Sequence, residues 1–196
     1  MNVHTHTTAH FAHPRTNLES LAIEKGMIIA DFGVGSGAYV LSIAEILDGA
    51  GRVYAIDVQK DLLRRIHTEA HKRGLDKLVE FIWGDLEVAG GSKIADGKVD
   101  LVLVSNLLFQ VPDKTAILRE ARRILKPTGR LAVIDWSESF GGMGPRPDDV
   151  VHKDAALTLA RDNGFELHRE FHAGAHHYGI ILRPVALKAI HHVKIT

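Results

Sequence analysis

The chain contains no cysteine, which excludes disulfides, thiolate metal sites and a cysteine nucleophile within these residues. Excess charge is missing too: lysine plus arginine total 24, and so do aspartate plus glutamate. A protein that tracks phosphate backbones usually shows a basic surplus, so nucleic acid is not the expected partner. Long apolar runs are also absent. The longest are strand-sized, far below the roughly 20 residues of a membrane span, and no membrane partner is expected. Residues 1–20 lack the apolar core of a signal peptide, so a cytoplasmic location is the default expectation. Aromatics are sparse at 6%, but 45% of residues are hydrophobic, as in an ordinary globular domain. The 196 residues leave room for one α/β domain and little more.

What is present is an alternation. Residues 1–13 (MNVHTHTTAHFAH) are polar and histidine-rich and read as a flexible amino-terminal segment or lid. A domain over 14–184 follows, and 185–196 is an unassigned tail. Pro14–Lys25 reads as a short helix closed by Gly26. Met27–Phe32 reads as a strand, followed by Gly33-Val34-Gly35-Ser36-Gly37 and a helix over Ala38–Leu47. Arg52–Asp57 is a second strand. Asp61–Arg73 is an amphipathic helix with Leu62, Leu63, Ile66 and Ala70 inward. Leu78–Trp83 is a third strand, and Glu87–Gly97 is a link with room for one helical turn. Val99–Ser105 is apolar throughout, as a strand covered on both faces would be. Asp113–Leu125 is a helix with Asp113 as N-cap. Lys126–Gly129 reads as a turn before a fifth strand, Arg130–Trp136. Beyond a Gly/Pro-rich loop, Ser137–Pro147, the pattern gives a helix over Asp149–Asn163 and two strands, Phe165–Phe171 and His176–Arg183.

Five strands alternating with helices imply a doubly wound, Rossmann-like parallel sheet. In such sheets ligands sit outside the carboxyl ends of the strands. Gly33–Gly37, Asp57, Gly84-Asp85, Ser105-Asn106 and Trp136-Ser137 all fall at those ends. The glycines allow close backbone approach where helix amides point outward. Asp57, twenty residues after Gly37, can accept both ribose hydroxyls of an adenosine ligand. Gly33-x-Gly35-x-x-Ala38 also satisfies the dinucleotide pattern, so an NAD-dependent oxidoreductase is one alternative. A non-catalytic binding module is another. Three features favour S-adenosylmethionine. Asp31 precedes the loop where it can meet an ammonium but would repel a pyrophosphate. Asp85 suits the adenine amino group. The chain closes with two adjacent strands instead of another βα repeat.

Asp31–Gly37 (DFGVGSG), Asp57, Gly84-Asp85, Asp100–Val111 (DLVLVSNLLFQV) and Arg123–Trp136 (RILKPTGRLAVIDW) together resemble the class I S-adenosylmethionine-dependent methyltransferases. The small UbiE-like, or methyltransferase type 11, group is the most similar. Met143-Gly144-Pro145 and His177-Tyr178-Gly179-Ile180 resemble a prokaryotic subgroup of it. The resemblance covers about residues 10–184 and implies seven strands in the order 3-2-1-4-5-7-6 with strand 7 antiparallel. It implies that Asp31, Gly33, Gly35 and Gly37 line the methionine moiety, that Asp57 holds the ribose and Asp85 the adenine, and that Ser105-Asn106 floors the sulfonium. Val58, Gly84 and Leu86 belong to the same cofactor-binding set. Gln110 stands where many relatives carry histidine, so no base is carried over to that position.

Methyl transfer from a sulfonium is an in-line displacement in which the protein supplies proximity, alignment and exclusion of water. A base is needed only for an acceptor that keeps its proton. Its weak candidates are His10, Asp135, His177 and Tyr178, with His13 and His176 beside them. Ser105-Asn106-Leu107-Leu108 is not the D/N-P-P-Y type of motif that serves exocyclic base amines. Without cysteine, thiol chemistry on arsenic is not expected. A small or medium-sized organic acceptor remains. No metal is expected: His67 and His71 lie one helical turn apart, but the sequence offers no third ligand. Asp100, at the start of its strand, reads as structural. Trp136 reads as packing, and Phe11 and Tyr39 as either core or a cover over the methionine side. The acceptor pocket is expected between residues 1–15, the Ser137–Pro147 loop and the hairpin near Gly174–Tyr178.

Overall fold

In the computed structural model, which describes residues 14–142 and 144–185, the strands are β1 (Ile28–Phe32), β2 (Arg52–Asp57), β3 (Val79–Trp83), β4 (Val99–Ser105), β5 (Leu125–Trp136), β6 (Phe165–His172) and β7 (His177–Pro184). The helices are α1 (Pro14–Ser20), α2 (Ala38–Leu47), α3 (Lys60–Lys72), α4 (Lys114–Ile124) and α5 (Lys153–Asp162). The sheet order is β3-β2-β1-β4-β5-β7-β6, with β7 antiparallel to both of its neighbours. This is the order that the resemblance implied.

Side chains two apart on a strand share a face, and the core divides accordingly. Ile29, Val53, Ala55, Leu101, Leu103, Ala132, Ile134 and Ile181 pack under α1, α2 and α3. Ala30, Phe32, Ile56, Val102, Val104, Val133 and Ile180 pack under α4 and α5. Strand β4 is apolar at nearly every position because helices cover both of its sides. Its opposite end carries Asp100, whose carboxylate accepts from the Ile28 amide and from Lys126 Nζ, at 2.9 and 2.7 Å. Asp113 caps α4 by accepting from the Ala116 amide, as its position predicts.

Three elements differ from the sequence reading. Helix α1 stops at Ser20, well before Lys25. Leu18 and Leu21 are both drawn into the core, and Ala22 turns the chain at φ 46°. The freed carbonyls of Ser20 and Ala22 accept from Arg169 and Arg130. Lys126–Gly129 is not a free turn. It is an irregularity inside β5, between the Val99–Leu125 and Leu101–Arg130 pairs. Helix α5 begins at Lys153, because Pro147–Asp149 forms a separate 3-10 turn and Val151 is buried in the extended link between them. The Glu87–Gly97 link contains turns and no helix.

Candidate functional site

Strand β1 lies mid-sheet, so the loop that leaves it reaches the middle of the strand-end edge. The Gly33 amide donates to the Ile56 carbonyl at 2.9 Å, which fastens the loop to β2. Gly33, Gly35 and Gly37 all have positive φ. A Cβ on Gly37 would lie 2.7 Å from Ile66, and one on Gly33 2.9 Å from Leu107. On Gly35 it would meet nothing closer than 4.0 Å. Two glycines thus permit packing, and the third leaves space in front of the loop.

Asp57 faces that loop. One carboxylate oxygen accepts from the Gln59 amide at 2.8 Å and the other from the Gly35 amide at 3.4 Å. Asp31, on the neighbouring strand, is 2% exposed, and among the described residues no group donates a hydrogen bond to it. Burial, with the Asp57 charge added, pushes its carboxyl up to about 7. Asp85 is exposed and accepts from the Glu87 amide at 3.0 Å. Glu87 in turn accepts from the Asp113 amide at 2.7 Å, tying this loop to the start of α4. Below it, Glu120 gathers the amides of Gly90 and Ser92, the Ser92 hydroxyl and Arg123. Burial pushes the Glu120 carboxyl up, but these donors outweigh it and hold it at about 2.

These groups surround one cleft that opens to solvent. Gly33, Gly35, Asp57, Val58, Gly84, Asp85 and Leu86 line it together. Asp31, Gly37, Ser105 and Asn106, the other four of that expected set, are not on its wall. Sequence reasoning does not find the rest of the lining: Gln59, Glu87, Leu107, Gln110, Val111, Ile117 and Leu62, which it places in the core. The available signal was the apolar run after β4, which the sheet order places level with the glycine loop. Gln110 holds its own turn, donating to the Asn106 carbonyl. Asn106 has φ 52°, and its side-chain oxygen is buried without a partner. The Tyr39 hydroxyl accepts from Asn17 at 2.9 Å.

The other expected chemistry lies on β5 and β7, and the two faces divide it. Asp135 and Tyr178 are paired across the strands on the α4–α5 face. Asp135 accepts from the Leu108 and Trp136 amides at 3.0 and 2.8 Å. Burial raises its carboxyl to about 7 despite these donors. The Tyr178 hydroxyl is buried without a partner. His177 is opposite Trp136 on the other face, with ring centroids 4.3 Å apart. His176 meets Glu138 through Nδ1 at 2.8 Å and stacks on Phe140 at 3.8 Å. Asp135, His177 and Tyr178 therefore do not form one constellation, because adjacent residues on a strand point to opposite faces. His10, His13 and Phe11, with residues 1–13 as a whole, lie outside the described residues, as do Met143 and 186–196. His67 packs edge-on against Phe81, and His71 reaches Asp76 at 3.4 Å. Among the described residues no cluster of three or more metal-ligand side chains occurs.

The family model for the methyltransferase domain matches residues 23–160. The chain belongs to this methyltransferase family. An arsenite methyltransferase of Aquipseudomonas alcaligenes is 32% identical over 150 residues, covering 74% of this chain and 43% of the relative. The ubiquinone/menaquinone biosynthesis C-methyltransferase UbiE of Shewanella frigidimarina is 27% identical over 123 residues, 63% of this chain and 48% of the relative. The chain thus spans under half the length of these two curated relatives. A crystal structure of a SAM-dependent methyltransferase from Aquifex aeolicus superposes with a TM-score of 0.80 at 26% identity, covering 89% of this chain and 91% of that one. Membership in the methyltransferase family sets aside the oxidoreductase alternative.

S-adenosylmethionine is the cosubstrate of this methyltransferase family, and the residues present fit it. A buried acid without a donor suits an ammonium. The Asp57 carboxylate beside the glycine loop suits a diol. The space in front of Gly35 lets the backbone approach a ligand.

Proposed function

We propose that this methyltransferase-family chain carries a methyl group from S-adenosylmethionine to a small or medium-sized organic acceptor. The observation that carries the reading is that Asp57, Gly33 and Gly35 line a cleft that also presents Asp85. Asp31 would hold the ammonium, Asp57 the ribose hydroxyls and Asp85 the adenine amine. Val58, 56% exposed, and Leu86 would flank the adenosine. Gly84 has no room for a side chain, since a Cβ would lie 2.1 Å from the Gly91 carbonyl oxygen. Ser105 and Asn106 would floor the methionine end. When bound, S-adenosylmethionine supplies an electrophilic methyl on a good leaving group. The chain's own task is alignment and exclusion of water.

Arsenite, the acceptor of the Aquipseudomonas alcaligenes relative, is not proposed for this chain. Soft centres select thiolates, and these residues include no cysteine. A cytoplasmic protein accords with the reading: no helix among the described residues is long and apolar enough to cross a membrane. Calorimetry tests the cofactor. S-adenosylhomocysteine should bind and raise the melting temperature, while NAD(H) should do neither. Stabilisation by NAD(H) alone would refute the reading. The remaining alternative, a non-catalytic binding module, requires that methyl transfer fail with every acceptor while S-adenosylhomocysteine still binds.

A further inference from the structure

Asp85 reaches the cleft from a stretch without regular structure: Gly84 to Lys98 contains turns but neither helix nor strand. An acid on such a stretch keeps one position only where something fixes its backbone. Here the stretch folds back on itself. A Cβ on Gly84 would overlap the Gly91 carbonyl oxygen, and one on Gly91 would overlap the Asp85 carbonyl oxygen. Gly91 therefore lies directly against the backbone of Gly84-Asp85, and the height of one sets the height of the other.

Gly91 is in turn bracketed by one side chain of α4. Glu120, 3% exposed, accepts from the Gly90 amide through one carboxylate oxygen and from the Ser92 amide through the other, both at 3.0 Å. The Ser92 hydroxyl adds a bond at 2.5 Å. Arg123 grips both oxygens, at 2.9 and 2.7 Å, and so orients the carboxylate. Against the cost of burial, these donors hold the Glu120 carboxyl at about 2, so it is ionised at neutral pH. A second tie, Glu87 to the Asp113 amide, joins the stretch to the start of α4. The same helix supplies an apolar part of the cleft: Ile117, one turn before Glu120, is on the lining. One helix thus carries both the anchor of the Asp85 loop and a hydrophobic wall of the cleft. It fixes the spacing between an acid that can accept from an amine and a surface that can cover a flat ring.

Glu120 itself is not on the lining, so it acts through the chain it holds. Resting on the reading that Asp85 takes the adenine amine, we propose that Glu120 is a positioning residue: by fixing Gly90–Ser92 it sets the Asp85 carboxylate against Ile117, and so makes the cleft prefer a purine with a 6-amino group to one without. Both oxygens are needed. Glutamine would leave one oxygen for donors that arrive on two sides, and would turn an N–H toward groups that also donate. One side of the Gly90–Ser92 segment is then released, and Asp85 with it.

Calorimetry with two probes tests this: S-adenosylhomocysteine, and its analogue with hydrogen in place of the 6-amino group. The wild type should prefer the amine by roughly tenfold to a hundredfold, the worth of one hydrogen bond to a charged group. D85A should erase the preference. E120Q should reduce it to within about threefold, although Glu120 lies outside the cleft. A merely structural role would weaken both probes alike and leave the preference at its wild-type value, and that result in E120Q overturns the proposal. A wild type without the preference, or a D85A chain that keeps it, removes the adenine role of Asp85 and the proposal with it, while the reading of methyl transfer stands on Asp57 and the glycine loop. Failure of the wild type to bind S-adenosylhomocysteine overturns both. If E120Q does not fold, the amide resonances of Gly90 and Ser92 in the wild type decide. They should move more with S-adenosylhomocysteine than with the analogue, and equal shifts overturn the assignment.

Discussion

The two ends of the strand-end edge treat polar groups in opposite ways. On β1 to β3, Asp57 and Asp85 accept from the chain's own amides and still face an open cleft. On β5 and β7, His177 and the Tyr178 hydroxyl are enclosed with no partner. Two buried aspartates cut across that division. Asp31 and Asp135 are both raised to about 7 by burial, yet backbone amides serve Asp135 and no described group donates to Asp31. Asp135 is therefore integrated into the fold, where it holds the Leu108–Gln110 turn against β5. Asp31 is an acid that lacks a donor. An acid served by backbone amides is complete before any ligand arrives, whereas one that is not awaits a ligand.

The largest effect should come from Asp57→Ala. Losing two charge-assisted hydrogen bonds, at about 1.5–3 kcal/mol each, should weaken S-adenosylhomocysteine by roughly 10²- to 10⁴-fold. Circular dichroism should stay native, and unchanged affinity in calorimetry means that Asp57 is not the ribose acid.

Next come the matched variants of the two buried acids, compared by urea denaturation at pH 8. Asp31→Asn should stabilise the ligand-free chain by up to about 4 kcal/mol, since it removes a buried charge, and should cost about tenfold or more in S-adenosylhomocysteine affinity. Asp135→Asn relieves the same burial cost but turns a donor toward the Leu108 and Trp136 amides, which also donate, so it should be less favourable than Asp31→Asn by about 1–3 kcal/mol. Equal effects would erase the distinction between the two acids.

The pH dependence of the ligand-free chain is a smaller effect. Asp31 and Asp135 keep their protons when folded and lose them when unfolded, so each removes stability as pH rises from about 4 to 7. His177 acts the other way: its folded value is depressed to about 4, so stability is lost as pH falls from about 6.5 toward 4. Glu120, held at about 2, likewise loses its contribution as pH falls from about 4.5. From pH 4.5 to 6.5 the balance is two protons against one. Stability should therefore fall by about 1.4 kcal/mol per pH unit, and the slope should vanish in Asp31→Asn. A denaturant midpoint that rises across that range counts against it.

The smallest effect on the cofactor half should follow deletion of residues 1–13. S-adenosylhomocysteine affinity should change by no more than about a few-fold, while methyl transfer is lost, because loops at such edges carry specificity and the sheet stays fixed. A large loss of cofactor affinity would place that segment on the wrong side of the comparison.

Much of the cleft was legible because its signals are local. Glycines before a helix and acids at strand ends are neighbours in sequence, and alternation reveals where each strand stops. Helix ends were less legible. Nothing around Ser20 announces a stop; the end is made by Arg130 and Arg169 reaching in from distant strands. The apolar wall at Leu107 and Val111 escaped notice for a related reason. Their spacing suits an ordinary core, and only the pairing of β4 with β1 brings them to the cleft.

By itself the sequence determined the alternating elements and the glycine loop before its helix, since each follows from residues within a few positions of one another. Which side of the sheet each candidate serves was decided only by tertiary structure. Asp135, His177 and Tyr178 look equivalent in sequence, yet strand pairing sends Asp135 and Tyr178 under α4 and α5 and His177 to the face of Asp31 and Ser105. Whether a polar atom finds a partner is likewise a long-range property. It depends on what the rest of the chain brings within hydrogen-bond reach, and for His177 the described residues bring nothing.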